Sequence, residues 1–350
     1  MKAPAISVDG NIITPASLPT WRRGRRGIQA DLADFLEDWW SPAPTMQLQT
    51  SGSTGAPKIL HATKAAMQAS AAATCRAFSL APGNTALLCL PLRYIAGKMM
   101  VVRALVGGLH LITAEPSSTP LASVDTAIDF APLVPMQMAT TLASPGGMAA
   151  LARVQTILLG GGFVNPSLEE QLQELPCRVF TSYGMTETLS HIALRAVNGP
   201  QRSDWYTPLP GVKISLSAAQ TLQISVAYLG IDTLTTNDIA ELSPHGAFLI
   251  LGRADAVINS GGVKIQAEDI EQELHRLTGL SVLALPLPHA VLGQCVALLW
   301  EGPAAKEAEL RAACERLPRY HKPLHIQKAT LPRTENGKIA RAAAASLLKP

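Results

Sequence analysis

The sequence predicts an α/β protein: a large doubly wound domain followed by a smaller α+β domain. Three observations carry this. The chain has 350 residues, enough for two domains of about 150 residues each. Between residues 46 and 238, short apolar strand-like runs alternate with helix-like segments, the pattern of a parallel sheet covered on both faces. After Arg253 the texture changes to an amphipathic helix, two strands and an alanine-rich helix. The boundary is placed at residues 252–255, giving domains 1–252 and 253–350.

The elements follow in order. Residues 28–40 carry Ile28, Leu32, Phe35, Leu36 and Trp39 at helical spacing. A helix begins near Lys64. Strands are expected at 85–90, 109–114, 127–133, 156–159 and 177–182, each too short for a helix and too apolar for a loop. In the second domain, residues 267–277 place Ile270, Leu274 and Leu277 on one helical face. Strands at 281–287 and 294–300 and a helix at 304–315 complete it.

Composition narrows the function classes. A hydrophobic fraction of 47 % with 16 % charged residues excludes a disordered chain, a long coiled coil and a charged tail protein. The counts of 26 Gly and 26 Pro point to many shaped turns. A net charge of +3 suits a phosphate-bearing small ligand and offers no footing for nucleic acid. The first residues lack the apolar core and cleavage site of a signal peptide. The most apolar stretch, 99–113, is interrupted by Arg103 and His110 and is too short to span a bilayer. The odd set of five cysteines, Cys75, Cys89, Cys177, Cys295 and Cys314, contains no CxxC pair. They read as reduced core residues of a cytoplasmic protein. His321 and His325 flank Pro323 without an HExxH pattern, so no metal site is expected there. The sequence allows a homodimer.

One loop stands out. Thr50, Ser51, Gly52, Ser53, Thr54 and Gly55 run on to Lys58. Glycines that let backbone N–H groups face an anion, hydroxyl donors and a lysine suit a phosphate cradle. The spacing is neither a Walker A loop nor a dinucleotide fingerprint. An ordinary polar loop has the same composition.

The loop is the first of five motifs in a fixed order. Tyr183-Gly184-Met185-Thr186-Glu187-Thr188 comes second and Asp238, in Thr-Asn-Asp, third. Gly252-Arg253-Ala254-Asp255, running through Gly261-Gly262 to Glu268, is the fourth. Pro332-Arg333-Thr334-Glu335-Asn336-Gly337-Lys338-Ile339 is the fifth. Together they resemble the adenylate-forming family of acyl-CoA synthetases, firefly luciferases and peptide-synthetase adenylation domains. Within it, Leu90-Pro91-Leu92, Ile95-Ala96-Gly97 and Ser190-His191-Ile192 are most similar to the o-succinylbenzoate–CoA ligases of menaquinone synthesis. The chain departs from the family pattern in three ways: less sequence precedes the phosphate loop, Arg93-Tyr94 replaces an aromatic–His pair, and Ile59 replaces a glycine.

The resemblance implies a carboxylic acid, ATP and CoA as substrates, with Mg²⁺ as cofactor; the alternatives are an enzyme for a different aryl or fatty acid, one that loads a carrier-protein thiol instead of CoA, and a catalytically dead nucleotide-binding relative. It implies an N-terminal domain shortened at its start, and a mobile C-terminal domain turning on a hinge near Asp255. Lys338 would be the mobile cation on the α-phosphate. Glu187 would hold Mg²⁺ and Thr186 would donate to the α-phosphate. Tyr183 would lie against adenine, with Ser182, Gly184, Met185 and the backbone of Gly161 and Gly162 nearby. Asp238 and Arg253 would bind the ribose. Gly261, Gly262 and Lys264 would serve CoA after the domain turns. Each of these side chains also has a plainer reading, as a surface lysine, a paired buried tyrosine or a structural loop charge.

An aromatic dicarboxylic acid needs a cation for its non-reacting carboxylate. Arg93, Lys98 and Arg103 lie on a largely apolar stretch, where buried cations are costly unless an anion meets them. Arg103 is favoured, with Arg93, Tyr94 and Lys98 behind it and Ser190 and His191 shaping the pocket floor. The alternative is that the three cations reach solvent or pair with protein carboxylates. The Arg22–Arg26 cluster reads as a solvated basic surface.

Overall fold

A computed structural model describes residues 4–49, 59–162, 164–333 and 339–348. Its main body is a nine-stranded sheet. In spatial order the strands are Thr207–Pro208, His191–Ala196, Arg178–Gly184, Val154–Leu159, Ile128–Leu133, Thr85–Leu88, His110–Thr113, Ile6–Val8 and Asn11–Ile13. The strands from Arg178–Gly184 to Ile6–Val8 run parallel, and those outside them antiparallel.

Side chains alternate across this sheet as period-two geometry requires. Ala86, Leu88 and Leu158 face one hydrophobic core, with helices Gly27–Trp40, Lys64–Ala77 and Ile95–Gly107. Leu87, Ile157 and Leu159 face the other, with helices Pro135–Ala143, Gly147–Leu151 and Pro166–Leu172. Helices on both faces make the sheet doubly wound, as the alternating texture predicts. All five cysteines are free and buried. No helix among the described residues is long and apolar enough to cross a membrane.

Before residue 254, two features differ from the expectation. The doubly wound texture does not continue to residue 238. Residues 212–253 form a separate antiparallel sheet of Val212–Leu216, Thr221–Val226, Ile231–Leu242 and Phe248–Arg253. Its strands are joined by turns with no helix long enough for a parallel crossover between them. It has its own core around Leu222, Ile224, Val226, Ala240 and Phe248. The start of the chain, where no strand is expected, adds Ile6–Val8 to the parallel sheet beside His110–Thr113. A three-residue strand is too short to display a period.

The smaller C-terminal sheet pairs Val263–Gln266, Val257–Ser260, Gly293–Glu301 and Ser281–His289 in that order, with His325–Lys328 parallel to Gly293–Glu301. Helix Ala267–Thr278 buries Ile270 and Leu274 against it, as its spacing predicts. The expected helix at 304–315 divides into a short 3₁₀ turn, Ala304–Lys306, and an α-helix, Glu307–Glu315.

Gly97 lies inside helix Ile95–Gly107, where alanine would ordinarily be better by about 1 kcal/mol. Here a Cβ would stand 2.4 Å from the Pro91 carbonyl oxygen and 2.6 Å from that of Leu90. Backbone cannot give way as a side-chain tip can. Gly97→Ala is therefore expected to destabilise the fold by about 1–3 kcal/mol, the cost of overpacking. A lowered denaturant midpoint checks this; an unchanged or raised midpoint would show that the 90–91 turn yields.

Candidate active site

The strand order reverses between Thr85–Leu88 and Ile128–Leu133. In open α/β sheets such a point leaves a crevice beyond the carboxyl ends of the strands, where ligands bind. The segments leaving those ends here are Leu90-Pro91-Leu92, Val134, Gly160-Gly161-Gly162 and Gly184-Met185. The Gly160 amide donates to the Leu133 carbonyl at 3.0 Å. The Ser182 hydroxyl donates to the Leu159 carbonyl at 3.1 Å. Ser182 is thus brought to the start of the glycine run.

Tyr183, next on the strand, points to the other face and joins the antiparallel sheet. Its ring packs edge-on against Phe248 at 5.2 Å and against Tyr206 at 6.0 Å. Its hydroxyl donates to Asp238 Oδ2 at 2.5 Å. Burial, then the neighbouring Asp238 charge, pushes the phenol well above its ordinary value, so it stays a donor. Arg253 Nη1 donates to the other Asp238 oxygen at 3.2 Å. Strand pairing sets this contact, because Asp238 and Arg253 are register partners on adjacent strands. Arg253 also forks onto Asp255, with Nε and Nη2 at 2.8 and 2.7 Å from its two oxygens. That hydrogen-bonded fork holds the Asp255 carboxyl below its usual range and raises the guanidinium. Asn237 Nδ2 reaches Asp255 at 3.4 Å. Tyr183, Asp238, Arg253 and Asp255 therefore form one connected group. Tyr206 and Phe248, which wall Tyr183, are not singled out by the sequence; Tyr206 follows Trp205, Phe248 sits in the apolar run 247–251, and neither carries a motif.

Thr186 and Glu187 sit in a tight turn between Gly184 and His191. Thr188, fully buried, locks it: its Oγ accepts from the Met185 amide at 3.0 Å and donates to the Ser190 carbonyl at 2.7 Å. Gly184 has to be glycine, since a Cβ would lie 2.2 Å from the Ser190 carbonyl oxygen. The turn leaves Glu187 exposed, with no hydrogen bond or ion pair to other described residues. Among the described residues no three His, Cys, Asp or Glu side chains cluster as a metal cage. A lone open carboxylate fits an Mg²⁺ ion that keeps its waters and takes its remaining ligands from substrate phosphates.

The third group lies behind this turn. Arg103 comes from helix Ile95–Gly107 and is 3 % exposed. Its Nη2 donates to Ser190 Oγ, and its Nε has no partner among the described residues. It forms no ion pair with a carboxylate among the described residues. Burial lowers its pKa to about 10, so it remains charged at neutral pH. Among the described residues Arg103 therefore neither pairs with a carboxylate nor reaches solvent. Ser190 Oγ lies 3.3 Å from His191 Nδ1. His191 is buried, and burial together with the Arg103 charge holds its pKa well below the usual histidine value.

Lys98 does not join Arg103. Its ammonium lies 5.6 Å over the Phe35 ring, on the side of helix Gly27–Trp40. Five helical residues amount to about 140° of rotation away from Arg103. Arg93 stacks on Tyr94 at 4.9 Å, at the start of the same helix. Gly261 and Gly262 form the turn between Val257–Ser260 and Val263–Gln266, and Lys264 is exposed on the second of these strands. The loop from Thr50 through Ser51, Gly52, Ser53, Thr54 and Gly55 to Lys58, and Lys338, lie outside the described residues. Strands Thr45–Gln49 and Ile59–Thr63, which flank the loop, pair with each other.

Comparisons with known proteins agree with this architecture. The chain is 29 % identical over 262 residues to the 2-succinylbenzoate–CoA ligase of Salmonella typhimurium, covering 71 % of this chain and 56 % of that one. It thus spans little more than half of this curated relative. A crystal structure described as an acyl-CoA synthetase (AMP-forming)/AMP-acid ligase II-like protein from Dyadobacter fermentans is 40 % identical. That likeness has a TM-score of 0.65 and covers 95 % of this chain and 97 % of that one. The o-succinylbenzoate–CoA synthetase of Bacillus subtilis, solved with ATP and magnesium, shares the fold with a TM-score of 0.72 at 23 % identity. It is covered over 85 % of this chain and 69 % of that one. The model of the AMP-binding enzyme family matches residues 36–224, more than half of the 350 residues and seven of the nine strands of the large sheet. This match over more than half of the chain makes the chain a member of the AMP-binding enzyme family.

Proposed function

We propose that the chain is an AMP-forming acid–CoA ligase whose acid is an aromatic dicarboxylate of the o-succinylbenzoate class. Arg103 carries the reading on the acid. A buried guanidinium without a protein carboxylate costs several kcal/mol of desolvation unless an anion meets it. A second carboxylate on the substrate supplies that anion. The 2-succinylbenzoate–CoA ligase relatives support the same class.

The reaction proceeds in two steps. The reacting carboxylate attacks the α-phosphorus of ATP, giving acyl-adenylate and pyrophosphate. The CoA thiolate then attacks the acyl carbon, and AMP leaves. In the first step negative charge gathers on phosphate oxygens. The Thr50–Lys58 loop cradles the phosphates with backbone N–H groups, Thr186 donates to the α-phosphate, and Lys338 neutralises the attacking pair. Glu187 is the residue that would hold Mg²⁺, which lowers the repulsion between carboxylate and triphosphate when bound. Asp238 and Arg253, oriented by each other, take the ribose hydroxyls, and Tyr183 with the Gly161–Gly162 backbone borders adenine. Residues 253–350 turn as a lid about Asp255, withdrawing Lys338 and bringing Gly261, Gly262 and Lys264 to the CoA path.

The test is turnover with ATP, Mg²⁺ and CoA across o-succinylbenzoate, benzoate and fatty acids. kcat/KM is expected to be at least about tenfold higher for the dicarboxylate, from one charge-assisted contact worth about 1.5–3 kcal/mol. Absence of ATP–pyrophosphate exchange with every acid would overturn the ligase reading. Exchange with benzoate at equal kcat/KM would overturn the dicarboxylate.

A further inference from the structure

The Arg103 group continues beyond Ser190 and His191. His191 Nε2 lies 3.3 Å from the Thr74 hydroxyl, which donates to the Ser70 carbonyl at 3.2 Å within helix Lys64–Ala77. Thr74 is fully buried and 117 residues from His191 in sequence. Four polar groups from three separate segments are thus joined in one line inside an otherwise apolar region, where His191 meets the Phe78 ring edge-on at 6.4 Å.

The two ends of the line fix its direction. A guanidinium only donates, and a backbone carbonyl only accepts. Thr74 gives its one hydrogen to the Ser70 carbonyl, so its oxygen can only accept, and His191 Nε2 must carry the hydrogen that faces it. In the neutral ring Nδ1 is then the acceptor. Ser190, whose oxygen already accepts from Arg103, gives Nδ1 its hydrogen. A protonated ring would turn Nδ1 into a donor facing Ser190 and place a second positive charge beside Arg103. Burial and the Arg103 charge both oppose that.

We infer that Thr74, His191 and Ser190 form a one-way hydrogen-bond relay, with His191 as the Nε2–H tautomer, that positions the Arg103 guanidinium as receptor for the acid's second carboxylate. The receptor role rests on the function proposed above; the relay itself does not. Thr74 and His191 are positioning residues and touch neither ATP nor the reacting carboxylate. With the relay intact, one Arg103 nitrogen is spent on Ser190, while Nε is buried with no partner among the described residues, a donor that an anion reaching it would satisfy.

Two measurements test this. Nitrogen-15 spectra of the histidine-labelled full chain, assigned by difference with His191→Gln, should show His191 protonated on Nε2 alone and unchanged between pH 6 and 8. An Nδ1–H tautomer, or a ring that protonates in that range, would overturn the relay. In steady-state kinetics Thr74→Val should raise KM for o-succinylbenzoate at least about fivefold, with KM for ATP unchanged. Thr74→Ser, which keeps the hydroxyl, should restore it. A merely structural role would shift both KM values together or leave Thr74→Ser as impaired as Thr74→Val, and either outcome would overturn the positioning role. Wild-type protein that turns over no dicarboxylic acid would defeat the receptor role and the functional reading together, while the spectra would still decide the relay.

Discussion

Replacing Lys338 with alanine is expected to slow acyl-adenylate formation about 10²–10³-fold, the usual loss when one preorganised donor to a developing oxyanion is removed. The reason lies in where charge gathers. The reacting acid and the α-phosphate are both anions, and the transition state brings them together. The ammonium is worth little before that approach and most at its peak, so kcat carries the loss. Thioester formation from pre-made acyl-adenylate should stay within a few-fold of wild type, because the proposed lid turn withdraws the cation before that step. Pyrophosphate exchange measures the first half-reaction, and single-turnover transfer from synthetic adenylate the second. Equal losses in both would remove Lys338 from its assigned step.

The second large effect is at Arg103. Arg103→Met keeps most of the stem volume and deletes the guanidinium. kcat/KM for o-succinylbenzoate should fall about 10–100-fold, chiefly through KM, since charge-assisted hydrogen bonds contribute about 1.5–3 kcal/mol. KM for ATP should not move, and neither should turnover of a monocarboxylic acid. Stability should move the opposite way from activity. Removing a buried, unpaired charge relieves desolvation, so the variant should be as stable as wild type or more so. An unfolding free energy that drops by several kcal/mol would mean that Arg103 holds the fold together rather than holding a ligand.

Much of the molecule could be read from the chain. The alternation of Ala86, Leu87 and Leu88 between two cores is a local property of strand geometry, and it announced helices on both faces. The link between Arg253 and Asp255 was also within reach, because those residues are two apart and carry opposite charge. The contrast between Lys98 and Arg103 needed only the helical rotation of five residues, a signal that was present and that proximity in sequence obscured. The antiparallel sheet at 212–253 was harder. Its strands show a burial pattern of two, as at Val212–Leu216, but nothing in that pattern says whether they extend an existing sheet or begin another.

Family membership, the doubly wound body and the order of the motifs were set by short stretches whose residues are neighbours in the chain: glycines for close backbone approach, apolar runs for buried strands, charges at turns. Which of three nearby cations would be entombed without a carboxylate, and which threonine would stand behind the histidine beside it, was decided only by folding. Hydrogen bonds and desolvation act over a few ångströms of space and are blind to sequence separation. The 117 residues between Thr74 and His191 leave no trace in the chain that the two will meet.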